Sequence, residues 1–128
     1  EQTIAGFVSG TSMANLCGLS AARFHLLKKM DWNINENGLN GAPELRIIAH
    51  DQVHASVKKT LSMLGYGKKS IEWIPSDNQG KLIIAELPKL DHSCLVLLQA
   101  GNANTGSFDN FDQVCDLANE VGALMTPQ

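Results

Sequence analysis

Three short polar segments of this chain carry side chains that could do chemistry. The first is VSGTSMANLCG, Val8 to Gly18, where Gly10, Thr11 and Ser12 stand just before a helical pattern. The second is IIAHDQVHASVKK, in which His50 and His54 flank a polar turn. The third is QAGNANTG, which contains Asn102 and Ala103. A serine becomes a nucleophile when a histidine base lies within hydrogen-bond reach and a further group orients that base. A Gly-Thr-Ser turn that opens a helix offers something else. The helix start presents unpaired N–H groups and a partial positive charge, which together suit an anion. The dipole contributes only about 0.3–1 kcal/mol at an exposed end, so charge-assisted hydrogen bonds must supply the rest. A histidine at the start of a helix has a flat face that can stack on an aromatic ring, and it exchanges protons near neutral pH.

The letters GTSMA also resemble the stretch around the active-site serine of subtilisin-like proteases. In those enzymes the aspartate and histidine precede the serine. Only eleven residues precede Ser12, none of them Asp or His, and Asn15-Leu16 stands where those proteases carry a proline. The nucleophile reading is therefore set aside. An anion cradle and a plain helix cap by Ser12 both remain open on this segment alone. No P-loop lysine follows the turn and no G-x-G-x-x-G is present, so neither a nucleoside triphosphate nor a dinucleotide is favoured. His50 reads as a structural histidine.

Alternating elements must position these segments. Residues 3–8 form a short apolar run, read as a buried strand. Residues 12–30 read as a helix, with Leu16, Leu19, Arg23, Leu26 and Leu27 at helical spacing. The Asn/Gly-rich stretch 31–44 reads as a surface loop. ELRIIAH is a strand. HASVKKTLSMLGYG is a helix with Val57, Leu61 and Leu64 on one face and Gly65 as its stop. KSIEWIP is a strand, SDNQGK a turn, and LIIAELPKL a weak helix interrupted near Pro88. SCLVLLQA is a continuous apolar strand. A loop, GNANTGSFDN, leads to a last helix with Phe111, Val114, Cys115 and Ala118 on one stripe. Such alternation predicts an α/β fold with a mainly parallel sheet and flanking helices. Parallel sheets bind ligands beyond the carboxyl ends of their strands, and each of the three polar segments follows a strand.

Composition narrows the function classes. The chain has 128 residues, a net charge of −3 and a sequence pI near 5.7. That charge provides no footprint for nucleic acid or an anionic membrane, so neither is expected as a partner. No stretch of 18 or more apolar residues predicts a membrane span. The first residues lack the pattern of a signal peptide. Cys17, Cys94 and Cys115 are far apart, without a C-x-x-C, so no zinc or other metal site and no dithiol motif is expected. Three unpaired thiols suit a reducing, cytoplasmic compartment. The chain has no initiator Met and begins almost inside an apparent strand, so residues 1–128 are expected to be a single partial domain of a longer protein.

Taken together, the segments resemble the group II pyridoxal-phosphate-dependent amino-acid decarboxylases, the relatives of aromatic-amino-acid and glutamate decarboxylases. SGTSMANLCGLSAAR resembles the family's Ser/Gly-rich turn and following helix, and HDQVHASVKKTLSMLG its D-Q-x-H-x-S block. IPSDNQGKL resembles the segment after that block, and AGNANTGSFDNFDQV the G-T-T-x-x-G-x-F-D block. All four occur in order and span almost the whole chain. The resemblance implies the aspartate-aminotransferase-like fold (fold type I) and the N-terminal part of its cofactor-binding large domain. It implies pyridoxal 5'-phosphate as cofactor. Gly10, Thr11 and Ser12 then match the turn holding the cofactor phosphate. His54 matches the histidine that stacks on the pyridine ring and contributes to catalysis. Asn102 and Ala103 fall in the loop beside the cofactor. GNAN stands where many members have GTT, placing Ala103 at a threonine position, and Met13 replaces a commonly acidic residue. The motifs bearing the family's ring-nitrogen aspartate and Schiff-base lysine are not among these residues, and the lysines present read as surface groups. The implied activity of the parent is decarboxylation of an L-amino acid to an amine and carbon dioxide, by a homodimer, with the isolated piece inactive. The alternatives are another fold type I reaction, such as transamination or carbon–sulfur cleavage, and a catalytically inactive scaffold or binding domain.

Overall fold

The computed structural model describes residues 5–100, 106 and 109–127. Within them the chain forms α1 (Thr11–Lys29), α2 (Ile34–Asn37), β1 (Arg46–His50), α3 (Ala55–Met63), β2 (Ile71–Ile74), β3 (Cys94–Leu98), α4 (Phe111–Val121) and β4 (Leu124–Pro127). Short 3-10 turns occupy Lys68–Ser70 and Ile84–Glu86. The four strands pair in the order β2-β1-β3-β4, and every pairing is parallel.

The central strands are apolar because both of their faces are covered. Successive side chains of β1 and β3 alternate between two cores. Ile47, Ala49, Leu95 and Leu97 pack with Leu19, Leu26 and Leu27 of α1 and Val57 and Leu61 of α3. Ile48, Val96 and Leu98 pack on the other side with Val114 and Ala118 of α4. The result is a helix–sheet–helix sandwich, as the alternation of elements predicts. No helix among the described residues is long and apolar enough to cross a membrane.

Several local expectations change. Residues 5–8 are exposed and form no strand, and residues 1–4 lie outside the described residues. An apolar run becomes a strand only where a neighbour pairs with it, and Phe7 and Val8 are exposed. Ser12 does not cap α1. The helix begins one residue earlier, with Gly10 at the cap position and no side-chain cap. The loop over 31–44 contains α2, started by the Asn33 side chain accepting from the Asn35 N–H. LIIAELPKL yields only the 3-10 turn, because its apolar residues serve the second core rather than a helix face. β4 was not anticipated. Its four residues end in a proline, and pairing with β3 rather than local pattern makes it a strand. Gly65 stops α3 as expected, at φ 94°.

At the amino end of the sheet, Arg46 forks onto Glu72 (Nη2–Oε1 2.9 Å, Nε–Oε2 3.0 Å) and reaches Asp91 Oδ2 at 3.2 Å. Ser93 donates from both its hydroxyl and its backbone N–H to Asp91 Oδ1. These bonds, the Ser93 hydroxyl first, hold the Asp91 carboxyl well below the usual carboxylate range. A depressed carboxyl contributes stability above its ordinary titration range and loses it as pH falls through the folded value. Asp91→Asn is therefore expected to lower the urea midpoint at pH 7. The gap to wild type should shrink steadily as pH falls below about 4. A gap independent of pH would show that the Asp91 charge contributes nothing.

Candidate functional site

The site is built where two helices start. α1 and α3 lie on the same face of the sheet. Near their amino ends, Asn15 Nδ2 donates to Ser56 Oγ at 3.1 Å. Further along, Arg23 Nη1 donates to the carbonyl of Leu64, just past the end of α3, at 2.8 Å. Asn15 and Arg23 are eight residues apart, and so are Ser56 and Leu64. At the helical rise, eight residues span about 12 Å. The two bonds therefore hold the helices parallel, with the start of α1 about three residues, or ~4.5 Å, beyond the start of α3.

His54 is the N-cap of α3, and its Nδ1 accepts from the Ser56 N–H at 3.2 Å. Ser56 Oγ lies 2.8 Å from the same nitrogen. A backbone N–H can only donate, so Nδ1 is the acceptor and the neutral ring carries its proton on Nε2. The Ser56 hydroxyl, taking a bond from Asn15, passes its own proton towards Nδ1. A continuous chain thus runs Asn15–Ser56–His54. Asn15 stands on the face of α1 that begins with Thr11 and Ser12, four and three residues before it. The turn between β1 and α3 is braced as well. Lys58 Nζ donates to the Asp51 carbonyl at 3.3 Å while lying 5.2 Å from the Trp73 ring centroid.

The α1 terminus has donors to spare. The Thr11 and Ser12 N–H groups make no hydrogen bond among the described residues, and no side chain caps them. Gly10 is extended, at φ 166° and ψ 175°, a conformation open to any residue. Among the described residues, a Cβ there would meet nothing within 4 Å. The backbone conformation of Gly10 is thus not what requires a glycine. Open space lies beside that backbone.

A second cluster closes the same edge of the sheet. Asp109 is buried, with Oδ1 accepting from the Leu82 N–H and Oδ2 from the Gln99 N–H, each at 2.8 Å. Fully buried His50 at the end of β1 places Nε2 3.6 Å from Asp109 Oδ1. Asn102 and Ala103 lie outside the described residues. A cavity of about 430 Å³ between Arg23, Leu45, Leu64 and Tyr66 sits at the opposite ends of α1 and α3, remote from His54. Among the described residues, no group of three or more His, Cys, Asp or Glu could hold a metal ion.

Comparison with known proteins decides the family. Residues 3–126 match the model of the pyridoxal-dependent decarboxylase conserved domain. This chain belongs to the pyridoxal-dependent decarboxylase family. The acidic amino acid decarboxylase of Bos taurus is 31% identical over 124 residues, covering 91% of this chain and 23% of that protein. Glutamate decarboxylase of Drosophila melanogaster is 32% identical over 125 residues, covering 91% and 24%. The chain thus spans about a quarter of the length of these relatives. Among solved structures, the glutamate decarboxylase domain of the diaminobutyrate-pyruvate transaminase and L-2,4-diaminobutyrate decarboxylase from Vibrio parahaemolyticus superposes with a TM-score of 0.81. It is 25% identical, over 94% of this chain and 28% of that one. The Oryza sativa TDC solved with PLP and tryptamine superposes with a TM-score of 0.75 at 24% identity, over 94% and 26%. The fold is that of fold type I decarboxylases, as the sequence resemblance implies.

Of the residues singled out from sequence, this pyridoxal-dependent decarboxylase chain brings Thr11, Ser12 and His54 to one edge. Asn15, Ser56 and Asp109 were given no role. All three stand inside the quoted motifs, as the N of MAN, the S of H-A-S and the D of S-F-D. Asn15 and Ser56 meet across 41 residues, and Asp109 reaches Leu82 across 27, which no local pattern displays. Ser56→Ala removes both the Asn15 acceptor and the hydroxyl on Nδ1 but leaves the backbone cap. Nitrogen-15 chemical shifts are expected to show the neutral His54 ring as the Nε2–H tautomer in wild type. A growing share of Nδ1–H is expected in the variant. A wild-type ring protonated on Nδ1 when neutral would contradict the capping geometry.

Proposed function

We propose that the protein containing this chain decarboxylates an L-amino acid to an amine and carbon dioxide, using pyridoxal 5'-phosphate. The observation that carries the reading is the Asn15–Ser56–His54 chain, which joins the open amino end of α1 to the histidine capping α3. One small molecule with an anionic arm and an aromatic ring can then meet both. The residues present fit that cofactor. The unpaired Thr11 and Ser12 N–H groups and their hydroxyls would hold the phosphate at the positive end of α1. The space beside Gly10 would admit it. The exposed His54 ring would lie against the heterocycle.

When bound, the cofactor supplies an electron sink for the charge left as carbon dioxide departs. This chain's residues have simpler tasks. Ser56 and Asn15 fix the His54 ring in rotation and tautomer. His54 presents an Nε2–H donor outwards while Nδ1 stays committed to the helix. The amino ends of α1 and α3 add their partial positive charges on the same side of the site. The ring-nitrogen aspartate and the Schiff-base lysine belong, in this reading, to the rest of the protein. The named activities of the relatives support an amino-acid substrate, with acidic amino acids the first to test. We also place the protein in the cytoplasm as a homodimer. Its three free cysteines support a reducing compartment.

The full-length protein, loaded with pyridoxal phosphate and given glutamate, aspartate, cysteine sulfinate or an aromatic amino acid, is expected to release carbon dioxide and the matching amine. A keto acid in place of the amine would point to transamination. Cofactor uptake without turnover on any of these would point to a scaffold. Gly10→Ala is expected to shift the unfolding free energy of the cofactor-free protein by less than about 1 kcal/mol, since a Cβ there touches nothing. It should still raise the dissociation constant for pyridoxal phosphate by about tenfold or more, because the Cβ would enter the space the phosphate needs. Unchanged affinity, by titration of cofactor absorbance, would place the phosphate elsewhere.

A further inference from the structure

The most conspicuous buried group outside this reading is His50. It is the last residue of β1 and is fully buried, and it lies beside Ile74 in the sheet register on the α4 face. Its Nδ1 accepts from the Gln52 N–H at 3.0 Å, so the neutral ring carries its proton on Nε2. Among the described residues that Nε2–H has no hydrogen-bond partner, and it faces Asp109 Oδ1 at 3.6 Å. The Asp51 carboxylate also stands near, its Oδ1 3.8 Å from Nδ1. The surrounding core is aliphatic: Ile48, Ile74, Val96 and Leu98. An apolar side chain would occupy this place without a stranded donor.

Asp109 explains why a histidine can be useful there. Its two oxygens already clasp the backbone at Leu82 and at Gln99, the residue after β3. Each carboxylate oxygen has two lone pairs, so Oδ1 has one left for Nε2–H. His50 therefore stands between the turn that presents His54 and the clasp that holds the end of β3. We infer that His50 is a positioning residue: through the Nε2–Asp109 contact it sets where the His54 turn lies relative to the end of β3. This rests on the functional reading above, because that edge is where the cofactor would bind.

The test uses the full-length protein and two substitutions that divide the imidazole between them. His50→Asn keeps an acceptor close to the Nδ1 position for the Gln52 N–H but falls short of Asp109. His50→Gln places an amide N–H near the Nε2 position and keeps the link to Asp109. His50→Asn is expected to weaken pyridoxal phosphate binding about tenfold and to speed deuterium exchange in the peptides bearing Leu82 and Gln99 by a similar factor. It should also alter the circular dichroism of the bound cofactor. His50→Gln is expected to stay within about threefold of wild type in both affinity and exchange. Wild-type affinity, dichroism and exchange in His50→Asn would overturn the inference, and so would a His50→Gln variant no better than His50→Asn. Should His50→Asn fail to fold, a loss of about tenfold in His50→Gln overturns it alone. A wild-type protein that takes up no pyridoxal phosphate overturns the functional reading. The exchange arm then decides the His50–Asp109 link by itself, with unchanged exchange sinking it.

Discussion

Two hydrogen bonds between α1 and α3 set the geometry on which the site depends. Asn15 to Ser56 and Arg23 to Leu64 join residues the same distance apart along each helix. A pair of parallel rods pinned at two equal spacings cannot slide past each other. Were α3 to shift by one turn, about 5.4 Å, His54 would lose its fixed position relative to the α1 terminus. The sheet beneath supplies the coarse alignment, since β1 and β3 bury both faces and leave α1 and α3 only one side to share. The polar pins supply the fine alignment that packing of Leu19, Leu26, Val57 and Leu61 leaves loose. Aliphatic contacts are non-directional; a hydrogen bond from an amide to a hydroxyl is not.

How far the sequence foretold this varies with the range of the interaction. β3 was legible because its five buried positions are all apolar, and β1 because Ile47, Ile48 and Ala49 stand in a row among its four buried positions. α4 was legible from Val114 and Ala118, four apart and both buried. Residues 3–8 read as a strand by the same rule, and the described part, 5–8, is not one, because no described strand pairs with it. β4 looked like a tail and is a strand, because β3 offers it an edge. Hydrophobicity states that a segment seeks cover, and only the partner decides which form the cover takes.

The same distinction runs through the site. Thr11, Ser12 and His54 stood out because residue type and position beside a helix start are local facts. Asn15, Ser56 and Asp109 did not, because their roles are defined by what they touch across the fold. The caps also changed hands. Ser12, the expected cap of α1, lies within the helix, and His54 turned out to be the cap of α3. Gly10 has the reverse history. Its backbone could accommodate any residue, so its own turn gives no reason for a glycine.

The capping bond of His54 makes the ring a one-sided instrument. One nitrogen is spent on the scaffold, and any proton it accepted would eject the Ser56 amide and loosen the first turn of α3. Only the opposite nitrogen is free to trade with a bound molecule. An imidazole mounted in this way acts as a donor with a fixed heading, and its helix enforces the direction of traffic.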